Sequence, residues 1–185
     1  AEVVRRLVDI QSDTVLVLHQ IGSHGPSYYL RYPQALERFQ PACRTADFSD
    51  CTAQEVTNAY DNTIAYTDKV VADLIDLLAM QEGLSTSLIY VSDHGESLGE
   101  KGLYLHGAPY FMAPDEQTKV PMLIWMSDGY QSDTGANLEC LTAGPTADYS
   151  HANLFHTLLG MTGVETSLRD PELDIFDTCR KTSNG

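Results

Sequence analysis

Ser87-Leu88-Ile89-Tyr90-Val91-Ser92-Asp93-His94-Gly95-Glu96-Ser97 is the stretch that decides the reading of this chain. From Leu88 to Val91 an apolar run continues without a break and ends in an acid, an imidazole and a glycine. A continuous apolar run of this kind, bounded by polar residues, reads as a strand covered on both faces. In open α/β sheets ligands bind beyond the carboxyl ends of the strands, so Asp93 and His94 stand where chemistry is expected. Carboxylate oxygen and imidazole nitrogen are ligands that zinc accepts at catalytic sites, with a coordination position left for substrate. Gly95 lets the backbone turn sharply, so two adjacent side chains need not point to opposite faces. The competing reading is a turn or capping pair at a strand end.

Two other runs have the same character, Thr14-Val15-Leu16-Val17-Leu18 and Val120-Pro121-Met122-Leu123-Ile124-Trp125-Met126. Pro121 then belongs near a strand start, where its missing N–H is tolerated. The first run leads into His19-Gln20-Ile21-Gly22-Ser23-His24-Gly25-Pro26. If the strands are parallel, His24 comes to the same sheet edge as Asp93 and His94. His106, in Leu105-His106-Gly107, follows a loop containing Gly99 and Gly102 that allows the chain to return to the same place. Three histidines and an aspartate, each flanked by glycine or set at a strand end, favour a metal site over the turn reading. His19 lies within its strand run and reads as a hydrogen-bonded core residue or a support for the ligands. Glu96 and Glu100 read as residues that order the loop or hold the ligands, rather than as an acid and base pair. Gly22-Ser23-His24-Gly25 is not a G-x-S-x-G elbow and no helix pattern follows it at once, so a serine triad is rejected.

The clearest helix is expected from Ala53 to Gln81. Thr52 and Glu55 form a capping box, Val56, Tyr60, Ile64, Val71, Leu74 and Leu78 recur at helical spacing, and Gly83 stands past the end. On it, Asp61, Asn62 and Asp68 read as a solvated face or packing contacts. A second helix is expected from Ala152 to Met161, capped by Ser150 and buried through Leu154, Phe155, Leu158 and Leu159. Alternating strands and helices imply an α/β domain with α/β/α layers and a mainly parallel sheet. The region from Asp128 to Tyr149, rich in Gly, Thr, Ser and Asp, reads as a surface excursion, and residues 181–185 as a disordered tail.

With 185 residues and 43% hydrophobic content, the chain reads as one globular unit with a sizeable core. Its 26 acidic and 11 basic residues give a net charge of -15, which opposes nucleic acid or an anionic membrane surface as a broad partner. An anionic substrate therefore needs a local cation, which a bound metal supplies. No run approaches the roughly 20 apolar residues of a membrane span, and no signal-peptide pattern opens the chain, so as given it reads as soluble. Ala1 to Asp13 lacks an initiator Met and leads at once into a strand pattern, as in a fragment of something longer. Cys43, Cys51, Cys140 and Cys179 allow three full pairings, and an oxidising compartment fits them best. A bridge from Cys43 to Cys51 closes a short polar loop and contributes about 2–3 kcal/mol on the loop-entropy model. Cys140 with Cys179 follows by elimination, and four free buried thiols are the alternative.

Taken together, Ile21-Gly22-Ser23-His24-Gly25-Pro26, Tyr60-Asp61-Asn62-Thr63 with Tyr66 and Asp68, Ser92 to Glu100, and Tyr104-Leu105-His106-Gly107 closely resemble the lipid A phosphoethanolamine transferases, a family that includes the mobile colistin resistance enzymes. The resemblance runs from about Thr14 to Cys179. It implies an alkaline phosphatase-like, sulfatase-type fold on the periplasmic face of a bacterial inner membrane. It also implies a ping-pong reaction in which a Thr takes phosphoethanolamine from phosphatidylethanolamine and passes it to a phosphate of lipid A. Asp93 and His94 would be ligands of the tight zinc. His24 and His106 would bind the substrate phosphate or a second zinc, and His106 would protonate a leaving group. The family's nucleophilic Thr, a Glu that completes the first zinc site, and the membrane helices have no match here. The chain thus reads as the C-terminal part of the catalytic domain, inactive alone. A phosphatase, sulfatase or phosphoglycerol transferase of the same fold is the related alternative, and a non-catalytic metal-binding module the unrelated one.

Overall fold

The computed structural model describes residues 2–8, 10–143 and 148–180; the expected disordered tail, 181–185, lies outside the described residues. The chain divides into two compact units, Ala1–Leu77 with His94–Pro121, and Leu78–Asp93 with Met122–Gly185.

The first unit is organised on one long helix. After a short helix α1 (Glu2–Val8) and a run of loops and single 3-10 turns, α2 spans Ala53–Ala79, within two residues of the expected end. Its start is the expected capping box: the Thr52 N–H donates to Glu55 Oε2 at 2.7 Å and the Glu55 N–H to Thr52 Oγ1 at 3.3 Å. Val56 and Ala59 bury against Tyr28 and Cys43, with Phe48, Tyr60, Leu98 and Leu105 around them. The Cys43–Cys51 disulfide forms as expected and ties the preceding loop to the helix start, where the Cys43 N–H reaches Glu55 O at 2.9 Å. Asn62 is fully buried, and its packing is polar. Its Oδ1 accepts from the Arg38 and Phe39 N–H groups and its Nδ2 donates to Phe39 O, so one side chain replaces the ladder that this irregular loop lacks. Ile64, expected in the core, is 45% exposed.

The run Thr14–Leu18 is not a strand. Val15 and Val17 are 62% and 81% exposed, and no ladder partner pairs with the run among the described residues. Sequence period can mark a segment as suited to a sheet, but pairing alone makes it one. His19 follows in the same exposed stretch, so its expected core position is not realised.

In the second unit β1 (Ser87–Val91) has the predicted bounds and pairs with β4 (Met122–Met126), which starts just after Pro121. Between these strands lie β2 (Ser97–Leu98), β3 (Tyr104–Leu105) and the short helix α3 (Asp115–Thr118), all of the first unit. The β1–β4 pair is antiparallel, with Ile89 opposite Ile124, and so is β2 with β3. This corrects the mainly parallel expectation. The connection from β1 to β4 is not a helical crossover of the kind a parallel neighbour requires, and the chain comes back running the other way.

The supposed surface excursion contains α4 (Asp128–Thr134) and α5 (Leu138–Ala143). Ser127 caps α4, Gly135 ends it in a left-handed conformation, and Tyr130 and Ala136 are buried with Met126, Met161, Ile175 and Phe176. Helix α6 spans His151–Met161 with the expected Ser150 cap, reinforced by Asn153. Its buried positions are Thr157 and Met161, whereas Phe155 and Leu158, expected inside, are exposed. The helix turns a polar face to the returning chain: Thr157 Oγ1 accepts from the Ile175 N–H and Asn153 Nδ2 donates to Leu173 O. The Cys140–Cys179 disulfide joins the end of this segment to α5.

Candidate metal centre

His24, His94 and His106, all in the first unit, come together. Their ligand atoms lie within 4.8 Å of one another. The His94 and His106 rings stack with centroids 3.9 Å apart, and His24 meets His106 edge-on at 4.8 Å. His24 and His106 are exposed and His94 half-buried, so the cluster is open to a ligand from solvent. Zinc fits this donor set: imidazole nitrogen is among its ordinary ligands, and here three converge in a chain otherwise strongly acidic.

Local structure accounts for the convergence. The hairpin β2–β3 pairs Ser97 with Leu105, and the turn between its strands takes positive φ at Gly99, Lys101 and Gly102. Glu96 and His106 are thereby set side by side just beyond the paired residues. Leu105 itself has φ of 64°, a conformation that costs a non-glycine residue energy and turns the chain immediately before His106. Its side chain packs against the Tyr28 cluster, which supplies the compensating burial.

Beneath the histidines lies one buried carboxylate. Glu96 is 6% exposed. Its Oε1 faces His106 Nδ1 at 2.8 Å, both oxygens face the Gly25 N–H at 3.2–3.3 Å, and Oε2 accepts from the Tyr28 hydroxyl. Tyr28 is 1% exposed between Phe48 and Tyr60. Burial above all, then the hydrogen bond to Glu96 and its charge, pushes the Tyr28 phenol far above its usual range, so it remains a proton donor to the carboxylate. Nδ1 of His24 lies 2.7 Å from Gly25 O, and Nδ1 of His94 lies 3.0 Å from Gly95 O.

Two glycines are required here by close approach. A Cβ on Gly25 would stand 2.5 Å from Leu105 Cδ2 and 2.9 Å from both Glu96 Oε2 and the Tyr28 oxygen. A Cβ on Gly95 would stand 1.9 Å from the Glu116 carbonyl oxygen. Gly95 was expected to serve a sharp turn; its evident role is to let the 116–117 backbone approach, where the Gly95 N–H donates to Gln117 O at 3.0 Å.

The structure thus brings together His24, His94, His106 and Glu96. Asp93 is exposed just past β1, immediately before His94 in the chain, and is not one of the three clustered ligands. Glu100 orders the hairpin by accepting from the Leu98 N–H at 2.6 Å. His19 makes no contribution to the cluster. Sequence reasoning missed Tyr28 and Gln117. Gln117 Nε2 donates to the buried Ser97 hydroxyl at 2.9 Å, and its Oε1 accepts from the Ala108 N–H. Tyr28 stands two residues after the quoted Gly25-Pro26 motif, which is a faint signal; Gln117 offers none. In the second unit His151 places Nε2 2.8 Å from Ser92 O, fixing the carbonyl just before Asp93.

Comparison with known proteins places these residues in a wider set. The sulfatase family model matches residues 2–164. The chain is 51% identical over 177 residues to a phosphoethanolamine transferase, EptA, of Escherichia coli K12, covering 95% of this chain and 32% of that protein. It spans about a third of the length of the curated relatives it matches. Among solved structures, the soluble domain of lipooligosaccharide phosphoethanolamine transferase A from Neisseria meningitidis superposes with a TM-score of 0.93 at 41% identity, over 97% of this chain and 55% of that one. The periplasmic domain of EptC from Escherichia coli, in complex with Zn, gives a TM-score of 0.67 at 26% identity, over 84% and 43% of the two chains.

Proposed function

The chain belongs to the sulfatase family, and we propose that its histidine cluster serves the zinc-dependent transfer of phosphoethanolamine from phosphatidylethanolamine to a phosphate of lipid A. The observation that carries the reading is the convergence of His24, His94 and His106 on one point above a buried Glu96. Its similarity to phosphoethanolamine transferases of Escherichia coli and Neisseria meningitidis, and the zinc complex of one structural neighbour, support it.

In this reading His94, together with Asp93 on sequence grounds, holds the tight zinc, while His24 and His106 face the phosphate group. Bound zinc would supply positive charge and Lewis acidity at the phosphorus. His106 takes a proton at Nε2 from the attacking Thr hydroxyl and returns it to the leaving oxygen, its Nδ1–H held by Glu96. The nucleophile is a Thr that none of this chain's matched motifs supplies, and the chain acts as the C-terminal portion of one catalytic domain. Placement at the periplasmic face of a bacterial inner membrane agrees with two disulfides and no free cysteine. No helix of the described residues is long and apolar enough to cross a membrane, and in this reading other helices provide the anchor. Modified lipid A would confer polymyxin and colistin resistance. A phosphatase, sulfatase or phosphoglycerol transferase is the second reading, favoured by the match of the sulfatase family to residues 2–164.

A chimera tests the proposal. Residues 14–179 replace the matching segment of the Escherichia coli relative, and lipid A from cells lacking their own transferase is analysed by mass spectrometry. The expected result is added phosphoethanolamine, lost on His94→Ala or His106→Ala. A folded, zinc-loaded chimera that leaves lipid A unmodified but hydrolyses phosphate or sulfate esters would establish the second reading instead.

A further inference from the structure

The side chains around Glu96 determine more than the position of the histidines. A carbonyl oxygen accepts hydrogen bonds and never donates them, and the same holds for an ionised carboxylate. His106 Nδ1 faces Glu96 Oε1, and His24 Nδ1 faces Gly25 O. Each of these nitrogens must therefore carry the proton. In a neutral imidazole that leaves the lone pair on Nε2, the atom through which the ring can bind a metal or take up a proton from substrate. Gly25 touches both sides: its carbonyl, in the peptide bond to Pro26, accepts from His24, and its N–H, in the peptide bond from His24, donates to Glu96. The Tyr28 hydroxyl donates to the other carboxylate oxygen from a fully buried position, and with the Gly25 N–H it holds the carboxylate plane.

We propose that Glu96, braced by Tyr28 and the Gly25 N–H, is a positioning residue that locks His106 as its Nδ1–H tautomer, and that the Gly25 carbonyl locks His24 in the same form. Both rings then present Nε2 lone pairs toward the shared centre before any metal or substrate arrives. The inference rests on the preceding reading only in taking His24 and His106 as the residues that face the phosphate. Its readout is independent of transfer. Metal-ligating histidines owe tautomer and orientation to such partners, and loss of the partner costs about 10- to 100-fold in metal affinity. What is specific here is that a buried carboxylate fixes one histidine while the carbonyl of the glycine that braces this carboxylate fixes the other.

The test is long-range ¹H–¹⁵N correlation on the full 185-residue chain, freed of metal with chelator, above the pH range in which imidazoles titrate. The expected spectrum shows a protonated Nδ1 and an unprotonated Nε2 for both His24 and His106. A wild-type His106 carrying its proton on Nε2 overturns the proposal, whatever any variant does. In Glu96→Gln, whose amide can either donate or accept, His106 becomes a mixture of tautomers while His24, still facing the Gly25 carbonyl, does not change. Zinc affinity measured by competition falls about 10- to 100-fold. Tyr28→Phe keeps the ring packing and the His106 tautomer and lowers zinc affinity by less than Glu96→Gln does. An unchanged His106 tautomer and unchanged zinc affinity in Glu96→Gln would also overturn the proposal. Loss of transfer in the chimera with the tautomers as expected would count against the functional reading alone.

Discussion

Two groups of buried polar residues, one in each unit, are built alike and end differently. In the second unit Asp174, its side chain fully buried, receives Arg169 through Nη2 at 2.6 Å and Nε at 3.1 Å, and Arg180 at 3.0 Å. It also accepts from the Phe176 N–H at 2.9 Å, and Gly160 packs so closely that a Cβ there would stand 1.9 Å from an Asp174 oxygen. Every partner is another part of the fold, so the group closes on itself. In the first unit Glu96 is as deeply buried and accepts from Gly25 and Tyr28, but its third partner is His106, whose ring reaches an open cluster of imidazoles. Burying a charge is costly unless it is paired. The second unit recovers that cost as structure alone. The first recovers only part of it that way, and the remainder appears as a prepared binding site.

The largest expected effect is on the closed group. Asp174→Ala leaves two arginines without their buried partner and should cost about 3–5 kcal/mol, lowering Tm by roughly 6–20 °C. Zinc bound per folded molecule should not change. If Asp174→Ala removed zinc binding as well, the two groups would be one system and the contrast would fail. The converse experiment is on the open group. Zinc at 100 times its Kd should stabilise the wild-type chain by about 2.7 kcal/mol. His94→Ala should abolish that increment and leave the metal-free stability within about 0.5 kcal/mol of wild type, as for a residue that the fold does not need. Both are read in thermal scans with and without chelator.

Gly25→Ala tests whether the open group depends on exact approach. The new methyl group meets Leu105, Glu96 and Tyr28 at 2.5–2.9 Å, and overpacking of this kind costs about 1–3 kcal/mol. Because the displaced atoms are those that brace His106, zinc affinity should fall along with stability, which a titration by competition would show. A loss of stability with zinc affinity intact would mean that the glycine serves packing only.

The histidines were legible because each stands before a glycine at the end of an apolar run or in the adjoining loop, a pattern that chemistry favours and packing does not require. The strand Ser87–Val91, the capped helix from Ala53 and the Cys43–Cys51 bridge were legible because short-range signals determine them, whereas Cys140–Cys179, 39 positions apart, followed only by elimination. What was not legible depends on distant residues. Thr14–Leu18 has the composition of a strand, but a ladder requires a partner that no local pattern can supply. Strand direction was inferred from the alternation of elements, whereas β4 returns antiparallel through a connection of hairpin and loop. Tyr28 meets Glu96 across 68 positions, and Ile175 and Phe176 enter the second core from irregular chain without periodicity.

The smallest expected effect concerns a third carboxylate, which is neither buried nor part of either group. Glu55 accepts from the Thr52 N–H and hydroxyl at the exposed start of α2, and those hydrogen bonds hold its carboxyl below the usual range. A carboxyl depressed in the folded state contributes stability above its unfolded value. That contribution is lost as the pH falls through the folded one. Glu55→Gln should therefore be slightly less stable than wild type at neutral pH, by about a degree in Tm, and the gap should close in acid. Zinc affinity should be the same in both at every pH. A gap that persisted in acid would mean that Glu55 acts through packing rather than charge. A zinc affinity that changed with Glu55 would mean that the histidine cluster responds to the helix start, so that the buried Glu96 alone does not set it.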